Sequence, residues 1–130
     1  MQEVELVRRG YEAVARGGFR AVLDLLDPNI EVRTAEQLPE AGTYRGHEQV
    51  ARLMETLTEP FEEWTLEPEE FIPAGENVVV PLHIRGQGRE SGIEVDAHIV
   101  HVWTIRNDRA VKLHVYVDRA EALKAVGLQA

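Results

Sequence analysis

Two runs of alternating apolar and polar residues dominate the C-terminal half of the chain, from Ile93 to Asp118. They flank Asn107-Asp108, a residue pair that favours a tight hairpin turn. Because alternate side chains of a strand point to opposite faces of a sheet, each run has one mainly apolar face. On the first run this face comprises Val95, Ala97, Ile99, His101, Trp103 and Ile105. The pattern predicts a β-hairpin that forms one wall of the core, with His101 as its one titratable residue.

The N-terminal half has the apolar spacing of helices instead. It predicts helices over residues 3–16 and from about His47 to Leu57, with a short helical segment between residues 19 and 26. A short strand is predicted at Ile30–Thr34. Residues 35–45 show no period and contain proline and glycine, so they are predicted to form a loop.

The remaining segments before and after the hairpin complete the fold prediction. Strands are expected within Trp64–Ile72 and at Asn77–Arg85, and Pro81 inside the second one implies an edge position or a bulge. Asp118 begins a short last helix. This order predicts one α+β domain over residues 1–130, with a curved, mostly antiparallel sheet and N-terminal helices on one face. Such an arrangement leaves a concave space between the sheet and the helices.

Composition narrows the range of partners. The 130 residues include no cysteine, which excludes disulfides, thiolate metal sites and cysteine nucleophiles. The net charge of −9 argues against nucleic acid or an anionic membrane as a partner. The acidic N-terminus has no apolar signal core, and no apolar run is long enough for a membrane span. A cytoplasmic protein is predicted.

Several segments, taken in order, carry a family resemblance. They are Gly17-Gly18-Phe19, Leu26 to Val32, Gly42 to Glu48, Arg85 to Gly92, His101-Val102-Trp103-Thr104, Tyr116 to Leu123 and Val126-Gly127-Leu128. Together they resemble the SnoaL-like, polyketide cyclase-like proteins of the NTF2-like superfamily. The resemblance spans nearly the whole chain. It implies an NTF2-like, or cystatin-like, cone with a pocket between sheet and helices, and often a homodimer.

The same resemblance bears on individual residues. The superfamily includes polyketide cyclases, steroid isomerases, epoxide hydrolases, dehydratases and binding domains without catalysis. Where cyclases and isomerases place a catalytic carboxylate on the strand before the last hairpin turn, this chain aligns His101. The isomerases' general-base aspartate falls near Arg33 or Thr34, and their oxyanion-binding tyrosine falls next to Tyr11. The isomerase residue set is therefore absent, and a fold alone does not determine a function.

His101 is the main candidate for catalysis. An imidazole can act as general acid or base near neutral pH, and burial favours its neutral form. If the protein is an enzyme, His101 would be the base, and Tyr11 or Arg33 would polarise the substrate oxygen. The alternatives are a core histidine with a hydrogen bond to the protein, a core tyrosine, and a surface Arg33 paired with Glu31 or Glu36. The inward face of this first strand is left open.

The predicted ligand is a small apolar or aromatic molecule. Its pocket is expected to be lined by Val7, Tyr11, Leu53, Leu57, Ile99 and Trp103. If the protein is an enzyme, the chemistry is proton transfer next to a carbonyl, as in cyclisation, isomerisation or dehydration, and it needs no cofactor. The alternatives are a ligand-binding module without catalysis and a dimerisation module.

The opposite face of the sheet has a mixed composition. It includes three histidines, which suggest zinc, together with apolar residues that should not all be in contact with water. These residues are His83, His98, His114, Val79, Val100, Val102 and Tyr116. A homodimer interface is the preferred interpretation, and no metal site is predicted. Asp96 shares this face and is a weak catalytic candidate.

Overall fold

The computed structural model describes residues 2–128, which form seven strands, three α-helices and one 3₁₀ helix. The elements are, in chain order, α1 (Gln2–Gly17), the 3₁₀ helix (Phe19–Leu25), β1 (Leu26–Thr34), β2 (Gly42–Arg45), α2 (Gly46–Thr58), β3 (Phe61–Pro68), β4 (Ile72–Ala74), β5 (Asn77–Gly88), β6 (Glu94–Arg106), β7 (Arg109–Tyr116) and α3 (Arg119–Ala125). The three helices that the spacing of apolar residues predicts are thus confirmed, each within two residues of its expected bounds where bounds were predicted.

All strands belong to one sheet, in the order β2-β1-β7-β6-β5-β3, with β4 also paired to β5. Only the β1–β7 pair is parallel among the described strands. The main core lies between one face of this sheet and the helices α1 and α2, which contribute Leu6, Val7 and Tyr11, and Val50 and Leu53 respectively. The predicted α+β fold with a mostly antiparallel sheet is confirmed.

The predicted hairpin is β6–β7. Asn107 and Asp108 at its turn have φ angles of 51° and 62°, the left-handed values that a type I′ turn requires. At 13 residues β6 is the longest strand, and it pairs with both β5 and β7. Because β6 is central, one of its faces packs in the main core under α1 and α2, and the other packs in a second cluster of apolar residues.

The predicted loop over residues 35–45 is wrong at its end. Residues Gly42–Arg45 form β2, which pairs antiparallel with β1 at the sheet edge. Four residues that pair through their backbone and expose most of their side chains produce no hydrophobic period, so the pattern could not show this strand. In addition, β1 begins at Leu26, earlier than the predicted Ile30, and its pairing with β7 is irregular over these first residues.

Pro81 sits in the interior of β5, where proline is unusual. It lies opposite the interval between β3 and β4, and its carbonyl accepts a hydrogen bond from the Glu69 amide at 2.9 Å. Because the N–H and C=O of one strand residue point to the same side, the donor that proline lacks would also face this interval. The expected break in pairing is thus present, but on one side of the strand only.

The second face of the sheet is partly covered by α3. Asp118 caps this helix by accepting the Ala120 amide at 3.1 Å. Ala122 and Leu123 pack against three valines of the sheet, which are at most 6% exposed. These valines are Val79, Val100 and Val102.

These valines do not need a partner chain, contrary to what the sequence analysis predicted, because α3 of the same chain buries them. The homodimer itself stays a prediction. Within residues 2–128, no helix has the length and apolar character that crossing a membrane would require.

Candidate functional site

A cavity of about 630 Å³ lies between the sheet and the helices. Its lining is mostly apolar and comes from α1, the 3₁₀ helix, α2 and strands β1, β3, β5, β6 and β7. All six residues predicted to line a pocket do so, namely Val7, Tyr11, Leu53, Leu57, Ile99 and Trp103. Trp64 and Phe61 of β3 also line it, which the sequence analysis did not predict.

Helical and strand periods together bring the polar residues of this cavity to one place. Tyr11 follows Val7 by one helical turn, so both face the sheet from α1. His101 and Trp103 are two residues apart on β6, so both point to the same face. The structure therefore brings together residues that are about 90 positions apart in the chain.

The Tyr11 hydroxyl lies between the other two side chains. It is 2.8 Å from His101 Nδ1 and 2.8 Å from Trp103 Nε1. An indole N–H can only donate, so Trp103 donates to the tyrosine oxygen. The tyrosine proton then has His101 Nδ1 as its acceptor. This arrangement favours the neutral imidazole with its own proton on Nε2, because the opposite tautomer would leave the tyrosine proton without an acceptor within residues 2–128. We refer to these three side chains as the Tyr11 cluster.

His101 Nε2 faces the cavity. Within residues 2–128 this nitrogen has no hydrogen bond to the protein. Every fully buried side-chain nitrogen or oxygen in this part of the chain has a partner, so Nε2 is not fully buried. The atom is therefore open to whatever occupies the cavity. It offers one N–H donor within an apolar lining.

Burial controls the ionisation of the Tyr11 cluster. Desolvation lowers the pKa of His101 to about 3, so the imidazole is neutral at pH 7. Desolvation also raises the pKa of Tyr11 well above its ordinary value, although the hydrogen bond from Trp103 acts in the opposite direction. With Nδ1 already accepting from Tyr11, the geometry suits His101 as a neutral hydrogen-bond donor better than as a base.

Arg33 is not brought together with the Tyr11 cluster. Its neighbours Val32 and Thr34 are buried on the cavity side of β1, whereas Arg33 is exposed on the opposite face. The strand's alternation thus resolves the open question of its inward face, and it corrects the expectation that Arg33 polarises an oxygen in the pocket. The carboxylate expected to pair with it, Glu31, lies 2.9 Å from Arg45 instead.

Thr34 is a cavity residue that the sequence analysis did not single out. It is 8% exposed, and its hydroxyl donates to the Glu40 carbonyl at 3.2 Å. The signal was available, since Thr34 has the same phase as the apolar Ile30 and Val32.

On the opposite face, the histidines group differently from the expectation. His83 and His98 stack with ring centroids 4.4 Å apart, and His83 Nε2 lies 2.7 Å from Asp96 Oδ1. This hydrogen bond holds the pKa of Asp96 below its ordinary value. His114 is not part of the group, because it pairs with Val102 further along β6 and stacks on Tyr116.

Comparisons with known proteins were made for the whole chain. The model of the SnoaL-like domain family matches residues 7–113. An NTF2-like protein of unknown function from Burkholderia pseudomallei is 29% identical, with 98% of each chain covered and a TM-score of 0.79. An NTF2-like protein from Burkholderia thailandensis is 25% identical, with 89% of this chain and 90% of that chain covered and a TM-score of 0.80.

A further solved structure shares the fold. It is a putative SnoaL-like polyketide cyclase from Jannaschia sp., 22% identical, with 99% of this chain and 94% of that chain covered and a TM-score of 0.78. No match was found among curated proteins. The resemblance noted in the sequence is confirmed: the chain belongs to the SnoaL-like domain family and has the NTF2-like fold.

Proposed function

We propose that the protein binds a small apolar or aromatic molecule that carries a carbonyl oxygen, and that His101 Nε2–H donates a hydrogen bond to this oxygen. The observation that supports this most directly is that His101 Nε2, which has no hydrogen bond within residues 2–128, borders a mostly apolar cavity of about 630 Å³. Apolar surfaces of the ligand would meet the lining, while the donor would fix its orientation.

The size of the cavity favours ligand binding over a purely structural role. Pockets for small molecules typically have volumes of about 300–1,000 Å³. A module whose role was only dimerisation would gain stability by filling this space with side chains. In this chain the space is left open.

The chemistry that such a donor can promote is proton transfer next to a carbonyl. A neutral imidazole that donates to the oxygen stabilises the negative charge that develops there when the adjacent carbon loses a proton. Cyclisation, isomerisation and dehydration all include this step. The proposed role of His101 is that of a hydrogen-bond donor to the oxygen, and Glu40 is the carboxylate-bearing lining residue to which the reacting proton would go.

A ligand-binding role without catalysis is the second candidate. The observation that favours it is the hydrogen bond between Tyr11 and His101 Nδ1, together with the low pKa of His101. Both keep the imidazole in one neutral state. Ligand recognition requires a fixed protonation state, whereas a group that transfers protons has to change its own.

The test uses pairs of ligands that differ only at the oxygen. Hydrophobic ketones and polyketide-like aromatics are compared by calorimetry with analogues in which the carbonyl is a methylene group. The wild-type protein is expected to prefer the carbonyl compound by about five- to tenfold, the effect of one hydrogen bond of roughly 1 kcal/mol.

The His101→Leu variant places an apolar side chain at this position and removes the hydrogen-bond donor. It is expected to bind both members of a pair equally, and Leu57→Met serves as a cavity variant with the donor intact. A carbonyl preference that persists in His101→Leu would refute the role of His101. Product formation measured on the same compounds separates the two candidates, because only the catalytic one predicts turnover.

A further inference from the structure

A group of metal-ligating side chains lies on the face of the sheet opposite the cavity, where β5 pairs with β6. His83 is directly across from His98, and Arg85 is directly across from Asp96. The ligand atoms of His83, Asp96 and His98 all lie within 4.8 Å of one another. We call these three side chains the outer-face cluster. The sheet separates them from the Tyr11 cluster, which lies on its other face.

The backbone holds these side chains in a geometry that suits a metal ion. Asp96 and His98 are two residues apart on one strand, so both project from the same face, and the neighbouring strand supplies His83 from the facing position. The three side chains thus converge from two paired strands, and no long flexible loop is needed to bring them together. Tetrahedral coordination by nitrogen and oxygen at about 2.0–2.2 Å requires ligand atoms a little over 3 Å apart. The ligand atoms of the outer-face cluster lie within 4.8 Å of one another, and rotation of the exposed Asp96 and His98 side chains would bring them closer.

The chemical composition of the cluster selects a class of ion. Two imidazoles and one carboxylate are typical ligands of zinc and of related first-row divalent ions, whereas magnesium and calcium prefer sites made only of oxygen. Three protein ligands leave one position for water. Glu69 Oε1 lies 3.4 Å from His98 Nδ1, so a second carboxylate is available to hold this ring or to add an oxygen ligand.

Arg85 is the group that opposes metal binding. Its Nε lies 3.9 Å from Asp96 Oδ2 and 3.4 Å from His83 Nε2. A guanidinium so close supplies positive charge where the ion would bind. The Arg85 side chain is 58% exposed, so it can turn into solvent. Its position therefore predicts a measurable effect: removing its charge should strengthen metal binding.

We propose that His83, Asp96 and His98 form a binding site for a divalent transition-metal ion, of which Zn²⁺ is the best match. The site is independent of the proposed ligand cavity. Its ligands alternate along β6 with Ala97 and Ile99, which line the cavity on the other face. Ion binding would therefore hold β5 and β6 together on the face opposite the cavity. It would not add a group to the cavity lining.

The test is titration of the metal-free protein with Zn²⁺ by calorimetry, repeated with Co²⁺, whose visible absorption reports nitrogen and oxygen ligands in a tetrahedral site. One ion per chain is expected. Asp96→Asn and His98→Asn are each expected to weaken the affinity by about tenfold or more, because one of three ligands is lost. Both residues are more than 60% exposed, so the variants should fold normally.

Two further variants make the test specific. His114→Asn removes a histidine from the same face but outside the cluster, and it is expected to leave the affinity unchanged. Arg85→Gln is expected to increase it. Zn²⁺ binding that is equally weakened by His114→Asn, or that survives both Asp96→Asn and His98→Asn, would overturn the proposal, as would the absence of saturable binding by the wild-type protein. Melting temperatures in EDTA show whether each variant is folded.

Discussion

At the scale of single residues, the Tyr11 hydroxyl joins the other two side chains of the Tyr11 cluster. It is the acceptor for Trp103 and the donor to His101, at 2.8 Å in each case. The three side chains are partly buried beside a mostly apolar cavity, where water replaces a lost partner less readily than at the surface. One oxygen atom therefore determines both the stability of this part of the core and the tautomer of the imidazole.

Replacement of Tyr11 by phenylalanine should lower the free energy of unfolding by about 1–3 kcal/mol, because a buried indole N–H then lacks its acceptor. Tyr44→Phe is the matched control. The Tyr44 hydroxyl donates to the Glu40 carbonyl at 2.6 Å near solvent, so water can take its place and the expected loss is smaller. Urea denaturation measures both variants. Equal losses would show that enclosure of the Tyr11 cluster has no effect on stability.

The pKa of His101 makes a prediction about pH. It is lowered from 6.5 to about 3 in the folded protein, so the unfolded chain binds this proton more readily. Stability from this group is fully present above pH 6.5 and falls as the pH decreases towards 3, by at most about 1.4 kcal/mol per pH unit.

The measurement compares wild type with His101→Gln by denaturant unfolding at several pH values from 7 down to about 5, above the range in which carboxylates titrate. The variant should show a flatter dependence. His114→Gln is the control, because burial also lowers the pKa of His114 but that side chain is only partly enclosed. A wild-type slope that is unchanged in His101→Gln would contradict the neutral, buried state of His101.

At the scale of elements, strand β6 serves two surfaces at once. Its residues alternate between the cavity, through Ile99, His101 and Trp103, and the opposite face, where Val100 and Val102 pack under α3. The short helix α3 thus has a structural function that its length does not suggest. It covers the centre of the sheet on the side that α1 and α2 leave open.

Leu123→Ala should therefore be strongly destabilising for a residue so near the C-terminus. Leu123 is 5% exposed and packs in the second core cluster, so the expected loss is about 2–4 kcal/mol. Lys124→Ala, on the exposed side of the same helix, should change stability by less than about 0.5 kcal/mol. Thermal unfolding distinguishes the two. A small effect for Leu123→Ala would mean that α3 is not required to cover the sheet.

The periodicity of the sequence was sufficient to predict the long helices and the hairpin, and to predict which residues point into the main core at the cavity. The hairpin, α1 and α2 all have a sustained period, and the same period placed His101, Trp103 and Tyr11 towards one core. It did not show that the tyrosine hydroxyl would lie between the other two groups, because that depends on how far α1 stands from the sheet. The sequence analysis placed His83, His98 and Asp96 on one face but predicted no metal site there, for a related reason. The outer-face cluster depends on the register of β5 against β6, and the connection between them does not reveal which residues face each other.

At the scale of the whole molecule, the two faces of the sheet differ in chemistry. One encloses an apolar cavity, whereas the other is covered by α3 at its centre and carries charged and imidazole groups beside it. The predicted homodimer would have to use this second, more polar surface, and burial of the sheet valines no longer supports it. With a net charge of −9, two copies would also repel each other at low ionic strength.

The cavity lining has one more consequence. The chain contains two tryptophans, and both Trp64 and Trp103 line the cavity. Intrinsic fluorescence excited in the indole band therefore originates wholly at the proposed binding site. A flat aromatic molecule that enters the cavity would share this space with both emitting rings. The protein thus contains its own optical reporter of occupancy, without any added dye or label.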